Sequence, residues 1–174
     1  MDQKTKYLLS EFWALSWNGS VQRAYLYRKG CEEKHRIEFR RRFIDWIDEQ
    51  VIPRYRETVS AATHESHILE LCEKGTQMDT DNIFESDGYH LASAQKLLNL
   101  QLKYLWCLGE VVEPPHCPVD RVILNRTSMR DSAWTKMRRI EEYRAFIEAI
   151  RERASAERKS IAQWELDSYD RSEA

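Results

Sequence analysis

Two lysines and an amide lie at helical spacing in a largely apolar segment, SAQKLLNLQLKYLW, residues 93–106. Lys96, Asn99 and Lys103 follow one another at steps of three and four residues, so a helix would present them on one face. Asp120 follows 24 residues after Lys96, beyond the connector EVVEPPHCPVD. Burial and the dipole at a helix N-terminus disfavour a charged amine, and a neutral lysine is a nucleophile that forms Schiff bases. A carboxylate beside it can stabilise a cationic sugar carbon.

The elements that would position these groups are helices. Only five glycines and four prolines occur, and no stretch alternates in the manner of a strand. A proline-stiffened return after residues 93–106 would bring Asp120 back to the start of that helix. Ser160 and Gln163 have the spacing of a capping box. The apolar periodicity predicts helices at about 3–17, 20–29, 31–60 with a bend at Pro53, 62–74 with a stop at Gly75, 93–109, a short one ending near 126, 134–157 and 160–170.

The composition indicates one globular domain with its own core. Of 174 residues, 42% are apolar and 32% charged, and the mean hydropathy is −0.69. No apolar run approaches the ~20 residues of a membrane-spanning helix, and the first residues lack a signal-peptide pattern. We expect one all-α domain over 1–174, a cytosolic monomer without a membrane partner. The net charge of −2 does not indicate a strongly basic nucleic-acid binder, although local clusters can still form a binding face.

Metal and disulfide chemistry is not indicated. The four cysteines are far apart and contain no C-x-x-C pair, so neither a disulfide framework, a zinc ribbon nor an iron–sulfur cluster is expected. His64 and His67 are three residues apart, a spacing that metal ligands can have, but no third ligand accompanies them. We expect no metal and no cofactor.

The segments KLLNLQLK, from Lys96 to Lys103, and HCPVDRVIL, which contains Asp120, resemble the helix-hairpin-helix DNA glycosylases. They are most similar to the archaeal 8-oxoguanine glycosylase branch, over roughly residues 86–124. The resemblance implies a helix-hairpin-helix-like element, Lys96 as the nucleophile and Asp120 as the stabilising carboxylate, with Lys103 and Asn99 lining the base pocket. It implies excision of oxidised guanine. A hypermodified base in phage DNA is a second target, which would make the protein antiphage.

DNA is the partner that this resemblance implies. The family has two glycines in the hairpin where this chain has only Gly88, so we expect backbone N–H groups near Ser93 to contact the phosphate instead. His90 and His116 flank the proposed site and are further candidates for DNA contacts or for helix caps. Three arginines follow the aspartate and are candidate phosphate contacts: Arg121, Arg126 and Arg130. A second arginine cluster, at residues 36–42, is either a phosphate contact or a solvated helix face.

Aromatic residues supply candidates for the walls of a base pocket. Trp17 and Trp164 are at helical positions where a tryptophan either stacks on an extruded base or belongs to the core. Asp167 shares a helix face with Trp164 and could accept hydrogen bonds from the base.

Two other functional classes remain open. Arg28 and His35 loosely resemble the R-x4–6-H motif of HEPN ribonucleases, which are also small all-α proteins, although Gly30 interrupts the helix that the motif needs. The third class is a non-catalytic helical interaction module. In that case Lys96 and Lys103 extend along a core helix and Asp120 is only an N-cap.

Overall fold

The computed structural model describes residues 2–21 and 26–169, and these residues form an all-α fold, which confirms the prediction from sequence. No strand occurs in this part of the chain, where the only β-type pairing noted is an isolated bridge between Tyr27 and Phe84. The α-helices are α1 (Gln3–Val21), α2 (Glu33–Gln50), α3 (Ala61–Gln77), α4 (Leu91–Leu108), α5 (Arg121–Leu124), α6 (Ile140–Ala156) and α7 (Ile161–Ser168). Two 3₁₀ turns, Ile52–Arg56 and Trp134–Lys136, precede α3 and α6.

Helix α4 is the centre of the fold. It packs against α1, α3 and the 3₁₀ turn Trp134–Lys136, and most of its side chains are buried. His90 caps its N-terminus, and Gly109 ends it with φ 81°, a left-handed conformation that glycine adopts without strain. The predicted end at Gly109 is therefore confirmed. Because α4 is covered on so many sides, its polar side chains need partners within the protein.

Several predicted helix boundaries are wrong. Helix α1 continues through residues 18–20, where a division between two helices was predicted, and ends at Val21. The segment from Leu26 onward is not a helix: Arg28 N–H donates to the Ile83 carbonyl at 2.8 Å, while residues 22–25 of the predicted helix 20–29 lie outside the described residues. Helix α2 ends at Gln50, and Pro53 belongs to the 3₁₀ turn that follows. A non-helical break at residues 137–139 divides the predicted helix 134–157.

Helix α3 passes through Gly75, where we expected it to stop. The ring of Tyr89 packs directly on this glycine, and a methyl group there would approach the ring to 2.7 Å. Gly75 is therefore a point of close packing rather than a helix terminus. By contrast, the predicted start of the last helix is confirmed, because Ser160 and Gln163 form a capping box at the N-terminus of α7.

Within the described residues, no helix combines the length and the apolar character that crossing a membrane requires.

Candidate functional site

Lys96 and Asp120 meet at the N-terminal half of α4. The Lys96 Nζ lies 3.3 Å from Asp120 Oδ2, and the two side chains are only 13% and 10% exposed. The other carboxylate oxygen, Oδ1, accepts the Ile123 N–H at 3.1 Å and caps α5. The Asp120 carboxylate therefore has two roles, because one oxygen caps the N-terminus of α5 and the other faces the Lys96 amine.

Gln95 explains how the connector returns to α4. Its side-chain amide donates to the Val119 carbonyl at 3.0 Å, and its side-chain oxygen accepts the Val119 N–H at 3.1 Å. Both groups of the backbone at Val119 are thereby held by the residue adjacent to Lys96. Because Asp120 follows Val119 directly, this pair of hydrogen bonds sets the carboxylate opposite the amine. No pattern in the sequence distinguishes Gln95, because its role depends on a contact 24 residues away.

An aromatic ring completes the surroundings of the amine. Lys96 Nζ lies 4.6 Å from the centroid of Trp134, which is 3% exposed and starts the 3₁₀ turn packed on α4. A cation over an indole face gains about 0.5–2 kcal/mol. The tryptophan beside the candidate nucleophile is thus Trp134, which no local motif in the sequence distinguishes from the other tryptophans.

The amine of Lys103 has different partners. Its Nζ lies 2.8 Å from Glu165 Oε1 of α7 and 4.4 Å from the ring centroid of Tyr169. Burial raises the pKa of Glu165, and the neighbouring Lys103 ammonium acts in the opposite direction. Lys103 is on the same face as Lys96 but about 10 Å further along α4, at 1.5 Å per residue. The structure does not bring it to the Lys96–Asp120 pair.

Asn99 belongs to a buried chain of hydrogen bonds. Its Oδ1 lies 3.0 Å from His64 Nε2, and its Nδ2 donates to the Tyr143 hydroxyl at 3.1 Å. Tyr143 lies 3.0 Å from His116 Nδ1. On the other side, the Tyr55 hydroxyl is 2.7 Å from His64 Nδ1 and 2.9 Å from Nδ1 of a second histidine, His67.

The donor and acceptor roles in this hydrogen-bond network follow from the number of protons that each side chain carries. Since Asn99 donates to Tyr143, the Tyr143 O–H points to His116 Nδ1, which leaves the buried Nε2 of His116 with a proton and no hydrogen-bond partner. The same reasoning gives His64 a proton on Nε2 and makes its Nδ1 accept from Tyr55. Burial lowers the pKa of His64 well below its usual range and that of His116 to about 4. Both imidazoles are therefore neutral near pH 7.

His64 and His67, the two histidines with metal-ligand spacing, both belong to this network of buried hydrogen bonds. Both ring nitrogens of His64 have protein partners, and His67 Nδ1 bonds to Tyr55. Among residues 2–21 and 26–169, no group of three metal-ligating side chains comes together.

Three of the predicted DNA contacts are buried. Ser93 N–H donates to the carbonyl and, at 3.4 Å, to Nδ1 of His90, and these two residues are 0% and 4% exposed. His116 is 1% exposed. The N-terminus of α4 therefore does not present exposed N–H groups at Ser93, and the prediction of a phosphate contact there is wrong. The exposed candidates are Arg121, Arg126 and Arg130.

The residues predicted for the walls of a base pocket are dispersed. Trp17 and Trp164 are 4% and 1% exposed and belong to the hydrophobic core. Trp164 also donates from Nε1 to Glu157 at 2.8 Å. Asp167 is exposed and pairs with Lys159 at 3.2 Å. The structure does not gather these three residues around Lys96.

The two members of the ribonuclease-like pair lie on different elements. Arg28 is exposed in the turn before α2, whereas His35 is in the first turn of α2 and lies 3.8 Å from Asp81. No continuous helix carries both side chains.

No protein-family model, curated protein or solved structure matches this chain. Its class is therefore defined by the fold and the site alone. It is an all-α protein whose central helix carries an amine that pairs with a carboxylate from a separate connector, held by a glutamine clamp and covered by a tryptophan.

Proposed function

We propose that the protein is a DNA glycosylase that extrudes a modified nucleotide and excises its base with Lys96 and Asp120. The observation that carries the proposal is the 3.3 Å approach of the amine to a carboxylate that arrives from a separate, clamped connector. The resemblance of the two segments to helix-hairpin-helix glycosylases supports the choice of substrate. Oxidised guanine and hypermodified phage bases are the two candidate targets.

The chemistry assigns one task to each group. The Lys96 nitrogen forms a bond to C1′ as the C1′–N glycosidic bond breaks, and the base leaves with that electron pair and takes up a proton. The Lys96 ammonium first gives its proton to water, so the neutral amine is the nucleophile while Asp120 stays ionised and stabilises the positive charge that grows on the sugar. Opening of the sugar ring then gives an imine between Lys96 and C1′, from which strand cleavage at the abasic site can follow.

Trapping with borohydride tests this proposal. Duplexes that each carry one modified base, together with phage DNA that contains hypermodified bases, are incubated with the protein and borohydride, and free base is measured in parallel. We expect a covalent protein–DNA complex that Lys96→Gln abolishes without unfolding the protein. Lys103→Gln removes the second amine on the same helix face, and trapping should survive this change because Lys103 is engaged by Glu165.

The possible outcomes separate the functional classes. Trapping that persists in Lys96→Gln would contradict the proposed nucleophile. RNA cleavage that is lost on His35→Ala would favour the ribonuclease instead. Absence of base release from all the duplexes and from phage DNA would leave the Lys96–Asp120 pair with a structural role only.

A further inference from the structure

An arginine-lined groove of about 550 Å³ lies between the chain that follows α5 and the middle of α6. Its lining residues include three arginines and one glutamate, together with amide and hydroxyl side chains. The lining residues with polar side chains include Asn125, Arg126, Ser128, Arg130, Glu152 and Arg153.

The positive charge of this groove is a local feature. The whole chain has a net charge of −2, yet residues 121–130 contain three arginines and no acidic residue. Helix α6 adds Arg153 from the opposite wall, beside Glu152. A concave surface with a surplus of cations attracts anions even on a weakly acidic protein, because nearby charges dominate the field at short range.

The charged groups suit a phosphate. Arginine presents a planar fork of N–H donors that matches phosphate oxygens. Arg130 is 72% exposed, and its nearest carboxylate, Asp131, is 3.7 Å away and 95% exposed. Such an exposed ion pair is worth at most about 1 kcal/mol, so a phosphate can replace it readily.

We propose that this groove binds backbone phosphates of a DNA strand, with Arg130 and Arg153 contacting them from opposite walls. The choice of DNA rests on the proposed function. Helix α5 has four residues and is therefore about 6 Å long. Asp120 lies at its start and the groove lies at its end, so the two are separated by about two nucleotide steps along the axis of a DNA duplex. A strand anchored in the groove would hold a nucleotide near the Lys96–Asp120 pair.

Salt-dependent binding of an unmodified duplex tests the groove without any excision. The affinity of the full-length protein is measured by fluorescence anisotropy between 50 and 200 mM salt. The double variant Arg130→Gln/Arg153→Gln should lower the slope of log K against log salt by about two. The affinity lost between 50 and 200 mM should then be about twelvefold smaller than in the wild type.

The control removes two charges elsewhere. Lys4 is exposed in the first turn of α1 and Lys34 pairs with Glu32 at the start of α2, so Lys4→Gln/Lys34→Gln changes the net charge equally at residues that do not line the groove. We expect this control to change the slope by less than half a unit. Glu152→Gln should tighten binding, because it removes a carboxylate from the groove wall.

Three results would overturn the inference. They are an unchanged slope in the groove variant, an equal fall in the charge-matched control, and tighter binding of RNA of the same sequence with the same arginine dependence. None of them involves base release, so failure of the groove is distinguishable from failure of the glycosylase chemistry at Lys96.

Discussion

Asp120→Asn separates the two tasks of this carboxylate. The asparagine Oδ1 can still accept the Ile123 N–H, because Asn and Asp cap helices about equally well. The group that then faces Lys96 is an amide without charge. The ammonium, whose side chain is 13% exposed, loses its carboxylate while it stays largely buried.

The expected loss of stability follows from that burial. Removal of one partner from a buried ion pair costs about 3–5 kcal/mol, and the residual exposure of this pair lowers our expectation to about 2–3 kcal/mol. For a chain of this length, that corresponds to a fall in Tm of about 4–12 °C. In Lys96→Met/Asp120→Asn both charges of the pair are removed, so most of this stability should return.

The expected loss of activity has a different origin. If Asp120 stabilises charge on the sugar, single-turnover base release by Asp120→Asn should fall about a hundredfold or more, and the double variant should stay inactive although it regains stability. DNA binding should hold or tighten, because a negative charge near the phosphates is removed. Rates are measured at least 10 °C below the lowest Tm, a margin that keeps each variant folded.

Glu165→Gln is the matched control, because it breaks the other buried lysine pair of α4, in which the Nζ–Oε1 distance is 2.8 Å. It should reduce Tm by a similar amount and leave base release within about threefold of the wild type. Unchanged base release in folded Asp120→Asn would refute the catalytic role. Equal losses in Asp120→Asn and Glu165→Gln would show that the assay reports stability rather than chemistry.

Two further predictions concern the fold. Gly75→Ala should destabilise the protein by about 1–3 kcal/mol in a denaturant titration, because the added methyl group meets the ring of Tyr89, and this outweighs the better helix propensity of alanine; an unchanged or higher midpoint would contradict the packing. Acidification should also destabilise the fold: the pKa of His116 is about 4 in the native state against 6.5 in the unfolded chain, so stability is fully present above pH 6.5 and is lost as the pH falls toward 4. By pH 5 this single group should account for about 2 kcal/mol, His64 acts in the same direction, and His116→Gln should show a smaller fall in Tm between pH 7.5 and pH 5 than the wild type.

The sequence predicted the helices well where local signals exist. The capping box at Ser160 and the glycine at position 109 are signals of this kind, and both were located correctly. Gly75 was misinterpreted because a glycine that makes room for an aromatic ring has the same sequence appearance as a glycine that ends a helix. The ring that decides between the two, Tyr89, lies 14 residues away.

The candidate site was predictable only in part, for a related reason. The spacing of Lys96, Asn99 and Lys103 predicted that they share one face of α4. The proline-stiffened connector predicted that Asp120 returns to the start of that helix. The partners of the polar side chains of α4 come from distant elements: Gln95 clamps Val119, Asn99 bonds to Tyr143 of α6, and Lys103 pairs with Glu165 of α7. Such pairings depend on three-dimensional packing, and no local pattern encodes them.

The two buried ion pairs of α4 differ in what surrounds them, and this difference favours chemistry at one of them. Glu165 is 2% exposed, so its carboxylate is nearly closed to solvent. Asp120 is 10% exposed and stands at the start of α5, whose other end opens on the arginine-lined groove. A polyanion held in that groove would lie about two nucleotide steps from Asp120, the length of α5. A carboxylate that only stabilised the fold would have no need of a cationic groove at this distance, whereas one that acts on a DNA sugar requires a means to hold the strand.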